Sequence, residues 1–200
     1  MTPVFSTAYL PPIAYVAALL QHKEVLIETK ETFPKQTYRN RTEIMTAGGV
    51  RALSVPVIRD NHSRTEEVSI DYKERWNIIH MRTIAAAYSA SPYYLYYKDG
   101  LETLLMTHYE KLVDLNEALL KWILQQLKSD CHVIRTKDFY RTCEQDFRNT
   151  FSPKVPFPTD GFRKYYQVFS DRQPFTPNLS IIDLLMNLGP ETNSYLKQIL

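Results

Sequence analysis

The sequence predicts an α/β domain: one unit over residues 1–200, built on a mostly parallel sheet with helices on both faces and Rossmann-like in outline, with α+β as the alternative. Three observations predict it. Apolar runs of strand length alternate with a helical run in the first third of the chain. Three helical patterns then follow one another between Arg75 and Ser129, which keeps the α+β alternative open. A length of 200 residues, 44% hydrophobic and 23% charged, suits one ordinary core.

"VFSTAYL" (4–10) reads as a buried strand running into a turn. Pro11 and Pro12 then open a helix, "IAYVAALLQHK", because proline has no N–H to lose in a first turn. "EVLIET" (24–29) is a second strand, followed by a polar loop rich in basic residues. Gly48-Gly49 make a turn into a third strand, "ALSVPVI" (52–58), which Pro56 demotes to an edge or a bulge. "VSI" (68–70) is a short strand at most.

"RWNIIHMRTIAAAYSAS" is helical and stops before Pro92, and "PYYLYYKDGLETLLMTH" is a second helix that Gly100 can break. "KLVDLNEALLKWILQQLKS" is the strongest helical pattern in the chain. "HVIRT" is a fourth strand. Residues 138–163 are Pro-rich and aperiodic, and a loop of that length is often functional. "KYYQVF" (164–169) reads as a fifth strand. "SIIDLLMNLG" carries a Ser180-x-x-Asp183 capping box and a Gly189 stop, and Pro190 opens a last short helix.

Composition excludes several classes. A net charge of +2, with no helix carrying a basic stripe, argues against a nucleic-acid partner, so any anion site must be local. Cys131 and Cys143 make no disulfide framework and suit a reducing compartment. The start lacks a basic n-region, and "IAYVAALL" is too short to span a bilayer, so a cytoplasmic protein without membrane insertion is expected. His22, His62, His108 and His132 show no zinc spacing, so no metal is expected, and the sequence leaves the cofactor unknown. No P-loop, G-x-G-x-x-G or G-x-S-x-G is present.

Four places draw attention as chemistry. The strand–turn–helix "STAYLPPIAY" offers helix amide groups to an anion, although Tyr9 also suits ordinary packing and the turn has no glycine. Arg39 and Arg41 flank Asn40 in a basic stretch; in extended chain the two arginines share a side and can fork onto phosphate or carboxylate. A solvated loop with surface ion pairs accounts for the same residues. Asn116 falls among Leu119, Leu120 and Ile123 at about 100° per residue, so its amide must be hydrogen-bonded, to backbone or within a site. Asp183 and Asn187 stand one helical turn apart, Asp183 with capping as its alternative role, while Arg172 and Asn178 are placed as a pocket wall. His80 shares a helix face with Trp76, Thr83 and Ala87 and reads as a partly buried structural histidine. "PYYLYY" can be an aromatic platform for bases or sugars, or packing.

The ordered set "YLPPIAY" (9–15), "YRNRTEI" (38–44), "LSVPV" (53–57), "AAAYSASPYY" (85–94), "LVDLNEALLKW" (112–122) and "FTPNLSIIDLLMNLGPE" (175–191) resembles the WbqC-like family of bacterial proteins over nearly the whole chain. Asn40-Arg41, Asp114-x-Asn116 and Asp183/Asn187 match that family's recurrent polar positions. Two departures are visible: Ser6 and Thr7 replace the usual Gln-Pro, and the chain is shorter before "YYQVF". The family's association with surface-polysaccharide (O-antigen) gene clusters implies carbohydrate assembly without giving a reaction. The resulting expectation is an enzyme, a transferase, acting on a nucleotide-activated or amino sugar. Its diphosphate would meet Arg39, Arg41 and the first helix, with Tyr9, Arg172, Asn178 and Asn187 around it. Asn40, Asn116 and Asp183 would orient the sugar or accept a proton. The competing expectation is a non-catalytic module binding a sugar phosphate or a partner protein in a biosynthetic complex.

Overall fold

In the computed structural model, which describes residues 2–199, three parallel strands form the central sheet in the order β1 (Val4–Ser6), β2 (Glu24–Glu28) and, at its far edge, the strand His132–Arg135. β1 leads to β2 through α1 (Ile13–Leu19), and all seven helical residues are buried, so the helix is held by its surroundings rather than by its length. The chain at 145–147 lies along the outer edge of β1, where Val4 donates to the Gln145 carbonyl (3.0 Å) and Phe147 donates to the Val4 carbonyl (2.8 Å).

The remaining strands are antiparallel. β3 (Arg41–Thr46) and β4 (Gly49–Ser54) form a hairpin, with Thr46 opposite Gly49 and Gly49 at φ +100°. Thr42 and Ile44 point into the core while Arg41 and Glu43 share the other side. β5 (Val57–Ile58) pairs with β6 (Ser69–Ile70). The last strand of the parallel sheet is then β7. The expected mostly parallel sheet is thus three strands, with two antiparallel ribbons beside it, and the chain is mixed α/β.

α2 (Trp76–Tyr88), α3 (Tyr94–Met106) and α4 (Leu112–Gln126) pack in sequence, α2 also against β3 and α3 against α5 (Ile181–Leu188). A single 3₁₀ turn and α6 (Thr192–Leu196) follow. α3 runs unbroken through Gly100, because a Cβ there would stand 2.7 Å from Trp122 Nε1. Glycine lets α4 approach α3 rather than breaking it.

Three other expectations change. Pro56 divides the expected 52–58 strand into β4 and β5. Residues 164–169 form no strand: the Gln167 side chain bonds both backbone groups of Thr176 (3.0 and 3.1 Å), taking the place of a strand neighbour. Ser180 and Asp183 make no capping box, because the Ser180 hydroxyl donates to the Leu10 carbonyl (2.9 Å) instead. The Pro-rich 138–163 stretch is irregular and wraps β1 and α1, where Phe147 stacks on Phe5 at 4.7 Å between centroids and Phe151 meets Tyr15 edge-on at 5.5 Å.

Candidate functional site

Ligands in open parallel sheets sit beyond the carboxyl ends of the strands. Here that edge holds a buried polar network. Glu28, fully buried at the end of β2, accepts from the Lys30 amide (2.8 Å), the Thr136 hydroxyl (2.9 Å) and Arg148 Nη1 (3.4 Å). Arg148 also forks onto Asp146 at 2.9 and 2.6 Å, and its hydrogen bonds hold the Asp146 carboxyl below the usual range. Arg39, buried, donates through Nε to Glu31 Oε1 (2.7 Å), with Nη2 2.7 Å from the same oxygen and donating to the Arg148 carbonyl (3.4 Å). Burial pushes the Glu31 carboxyl up, and Arg39 pulls it back. Arg39 is therefore consumed by an internal pair rather than presented to a ligand.

Asn116 lies just above this network. Its Nδ2 donates to the Arg39 carbonyl (2.8 Å) and to Thr7 Oγ1 (3.1 Å), so it joins α4 to the β1 end and to the basic segment. Its Oδ1 is buried without a partner among the described residues, beside a cavity of about 20 Å³ that Thr7, Thr29 and Arg135 also line. That space takes no more than a water-sized group. The α4 residues Asp114 and Glu117 both bind Arg135, Asp114 at 2.7 Å. Burial alone would raise Glu117, but hydrogen bonds from Lys121 and Arg135 bring its carboxyl below the usual range.

Asp183 is fully buried and serves the fold on every side. Its oxygens accept from Tyr88 (2.9 Å), Tyr165 (2.5 Å) and Gln167 (3.0 Å), which fastens the 164–176 segment to α5. Burial raises its carboxyl pKa while those three donors oppose the rise. Asn187 donates to the Asp183 carbonyl (2.7 Å) one turn away. Tyr9 is likewise enclosed, its hydroxyl 2.8 Å from His80 Nδ1, and burial drives its pKa well up. Asn40 donates to the Val55 carbonyl (2.9 Å) and pins the start of the hairpin. Arg172 stands in solvent beside Asp171. Tyr9, Arg39, Asn40, Arg41, Asp183, Asn187 and Arg172 line none of the five best-formed cavities among the described residues, and Asn116 lines only the one of about 20 Å³.

The amide end of α1 is also occupied. Ile13 N donates to the Leu179 carbonyl (2.9 Å) and Ala14 N to Asn178 Oδ1 (2.8 Å). The arrangement expected from the sequence, two guanidinium groups converging with free helix amides, is therefore not formed, because the protein itself satisfies those donors.

What the fold does bring together is Glu43, Tyr38 and Asn178, with Arg41 paired to Glu43. A cleft of about 240 Å³ opens beside the β1–α1 connection, between the hairpin and the Pro-rich segment; Tyr38, Glu43 and Asn178 line one side, Phe151, Pro153 and Phe157 the other. Arg41 Nη2 binds Glu43 Oε1 at 2.8 Å, and the Arg41 Nε is buried without a partner among the described residues. Glu43 Oε2 makes no hydrogen bond among them either. Tyr38, its carbonyl bonded by Tyr9 N, has its hydroxyl pKa pushed up to about 12, by burial first and then by Glu43, with Arg41 opposing. The cleft thus presents a partly buried carboxylate, a phenol and an amide against aromatic and proline surface, with the Arg41 guanidinium bonded to Glu43 but not lining the cleft itself. Among the described residues no group of three or more His, Cys, Asp or Glu could hold a metal ion, and no helix is long and apolar enough to cross a membrane.

Glu43 and Tyr38 escaped the sequence reading. The signal was present: Arg41 and Glu43 alternate with Thr42 and Ile44, which places both on one side of a strand once the segment is taken as extended.

Comparison with known proteins adds the following. The profile described as the WbqC-like protein family matches residues 7–152 and 151–195. A protein of Mycobacterium tuberculosis, titled "Uncharacterized protein Rv1507c", is 26% identical, covering 97% of this chain and 96% of its own length. No solved structure matches the chain.

Proposed function

The chain belongs to the WbqC-like protein family, and from that premise we propose that it binds a sugar phosphate of surface-polysaccharide biosynthesis, a nucleotide-activated or amino sugar, in the Tyr38–Glu43–Asn178 cleft. The observation that carries this reading is the convergence of Tyr38, Glu43 and Asn178 on one cleft of about 240 Å³, with Arg41 bonded to Glu43 beside it. Arg41, bonded to Glu43 beside the cleft, supplies the positive charge that favours a phosphate there. The Glu43 carboxylate accepts hydrogen bonds from sugar hydroxyls or an ammonium, and Phe151 and Phe157 offer apolar faces. Asn116, Asp183 and Arg39 act in support: they lock the segments that carry the cleft.

A second reading, group transfer to a sugar amine, is favoured by Glu43 Oε2. This oxygen is bonded to no described residue and can take the proton that an amine loses on attacking the carbonyl of an acyl donor, the C–N bond forming as the donor's activating group leaves with the electrons of its bond to that carbon.

The test is a thermal-shift screen of sugar phosphates and nucleotide sugars, with Arg41→Ala and Glu43→Gln alongside the natural protein. A ligand at about a hundredfold above its Kd adds about 2.7 kcal/mol to stability and raises Tm by several degrees. Arg41→Ala should abolish that shift, and Glu43→Gln should reduce it for amino sugars most. A panel that leaves Tm unmoved, or an Arg41→Ala response equal to the natural one, overturns the proposal. Mass spectrometry of a bound amino sugar with acyl donors separates transfer from binding alone.

A further inference from the structure

A second cavity, of about 260 Å³, opens where the start of α3 meets the ends of α4 and α5. Tyr93, Tyr96 and Tyr97 line it with Gln126, Lys128 and Asn193. None of these six residues borders the cleft described above.

The pocket is built by rigid elements. The Tyr93 amide donates to the Met186 carbonyl (3.0 Å), which ties the start of α3 to α5. A Cβ on Gly189 would stand 2.5 Å from the Tyr93 ring, so the glycine, at φ +52°, gives that ring its place. Asn193 Nδ2 donates to the Leu127 carbonyl (3.1 Å), which fixes the α6 side of the pocket to the end of α4. Tyr96 and Tyr97 meet edge to face, with centroids 4.8 Å apart and planes at 85°; Tyr97 is buried, but Tyr96 is 74% exposed. An aromatic ring left that exposed beside a formed cavity is an unused contact surface.

We infer that this pocket is a saccharide site, taking one uncharged pyranose ring of a glycan. The apolar face of a pyranose matches an aromatic ring, and its hydroxyls need a rim of groups that both donate and accept. Gln126, Asn193 and three phenols supply that rim. Lys128 on the rim disfavours a cationic occupant, and among the described residues no carboxylate lines the pocket. The cavity volume suits a single sugar ring rather than a nucleotide. The inference is independent of the cleft reading, since it needs no phosphate.

The experiment is ligand-observed saturation-transfer NMR on the full chain, with the methyl glycosides of glucose, galactose, N-acetylglucosamine and N-acetylgalactosamine as probes and uridine and adenosine as comparators. At least one glycoside should receive saturation, strongest on one face of its ring. Tyr96→Ala removes an exposed side chain, so it should leave Tm unchanged and weaken that signal about tenfold. Gln126→Ala should weaken it several-fold. Saturation of none of the glycosides, saturation of the nucleosides alone, or a signal unchanged in Tyr96→Ala would each overturn the inference. The sugar-phosphate shift of the cleft, read on the same Tyr96→Ala protein, should persist, so failure at one site is distinguishable from failure at the other.

Discussion

His80 stands inside the core with its Nδ1 2.8 Å from the Tyr9 hydroxyl and its ring edge-on to Trp76 at 5.2 Å. Burial lowers its pKa to about 4; a hydrogen bond with the Ser54 backbone opposes that and nearby Arg51 adds to it. The imidazole is therefore neutral at pH 7. Between pH 6.5 and about 4 the unfolded chain binds a proton that the folded chain refuses, so stability falls as pH drops through that window. The loss amounts to about 3 kcal/mol by the time both forms are protonated. Asp183 and Glu31, whose carboxyls are raised, work in the opposite sense, because the folded state then holds the extra proton. They are common to a His80→Gln variant, which keeps a hydrogen-bonding side chain at that place. Urea unfolding at pH 7, 5.5 and 4 should show the natural protein losing about 3 kcal/mol relative to His80→Gln across the series; parallel curves would contradict the burial argument.

At the scale of elements, the sequence was legible where one period ran uninterrupted. α2, α3 and α4 fall within the stretches their apolar spacing predicts, and β1, β2 and β7 within their strand-length runs. It was illegible where side chains rather than neighbours decided. The charges in "RTEIMT" resemble a solvated loop until β4 is seen to pair with it and cover Thr42 and Ile44. "KYYQVF" has strand composition, but Asp183 captures Tyr165 and Gln167 and leaves no ladder to form. α1 shows the same dependence. No N-cap side chain precedes it, and Asn178, 164 residues later, accepts from Ala14 N in its stead. Asn178 holds φ +55° to do so. Asn178→Gly keeps that backbone and removes only the acceptor, which should cost about 1 kcal/mol. Asn178→Ala adds the left-handed penalty, about 1 kcal/mol more. Chemical denaturation of both variants checks the order; equal losses would show that the backbone conformation carries no strain.

For the whole molecule, polar residues that looked like ligand donors have become the means by which distant segments are joined. Arg39, Asn116 and Asp183 could be recognised as unusual from burial pattern and charge, but their partners Glu31, Thr7, Tyr88 and Tyr165 are remote in sequence, and only the fold brings them close. The Glu28–Arg148 pair ties the end of β2 to the Pro-rich stretch that forms one wall of the cleft. Arg148→Met leaves the Glu28 carboxylate buried with its hydroxyl and amide donors but no cation, a change expected to cost about 3–5 kcal/mol. Adding Glu28→Gln removes the uncompensated charge and should recover a large part of that loss, since the pair's net contribution is far smaller than the cost of breaking it. Limited proteolysis reads the same effect locally: Arg148→Met should open residues 138–163 to cleavage at urea concentrations that leave the helices protected. Should the double variant be no more stable than Arg148→Met, the cation's role lies in its bonds to Asp146 and the Tyr140 carbonyl, and the segment is held from its own side rather than through β2.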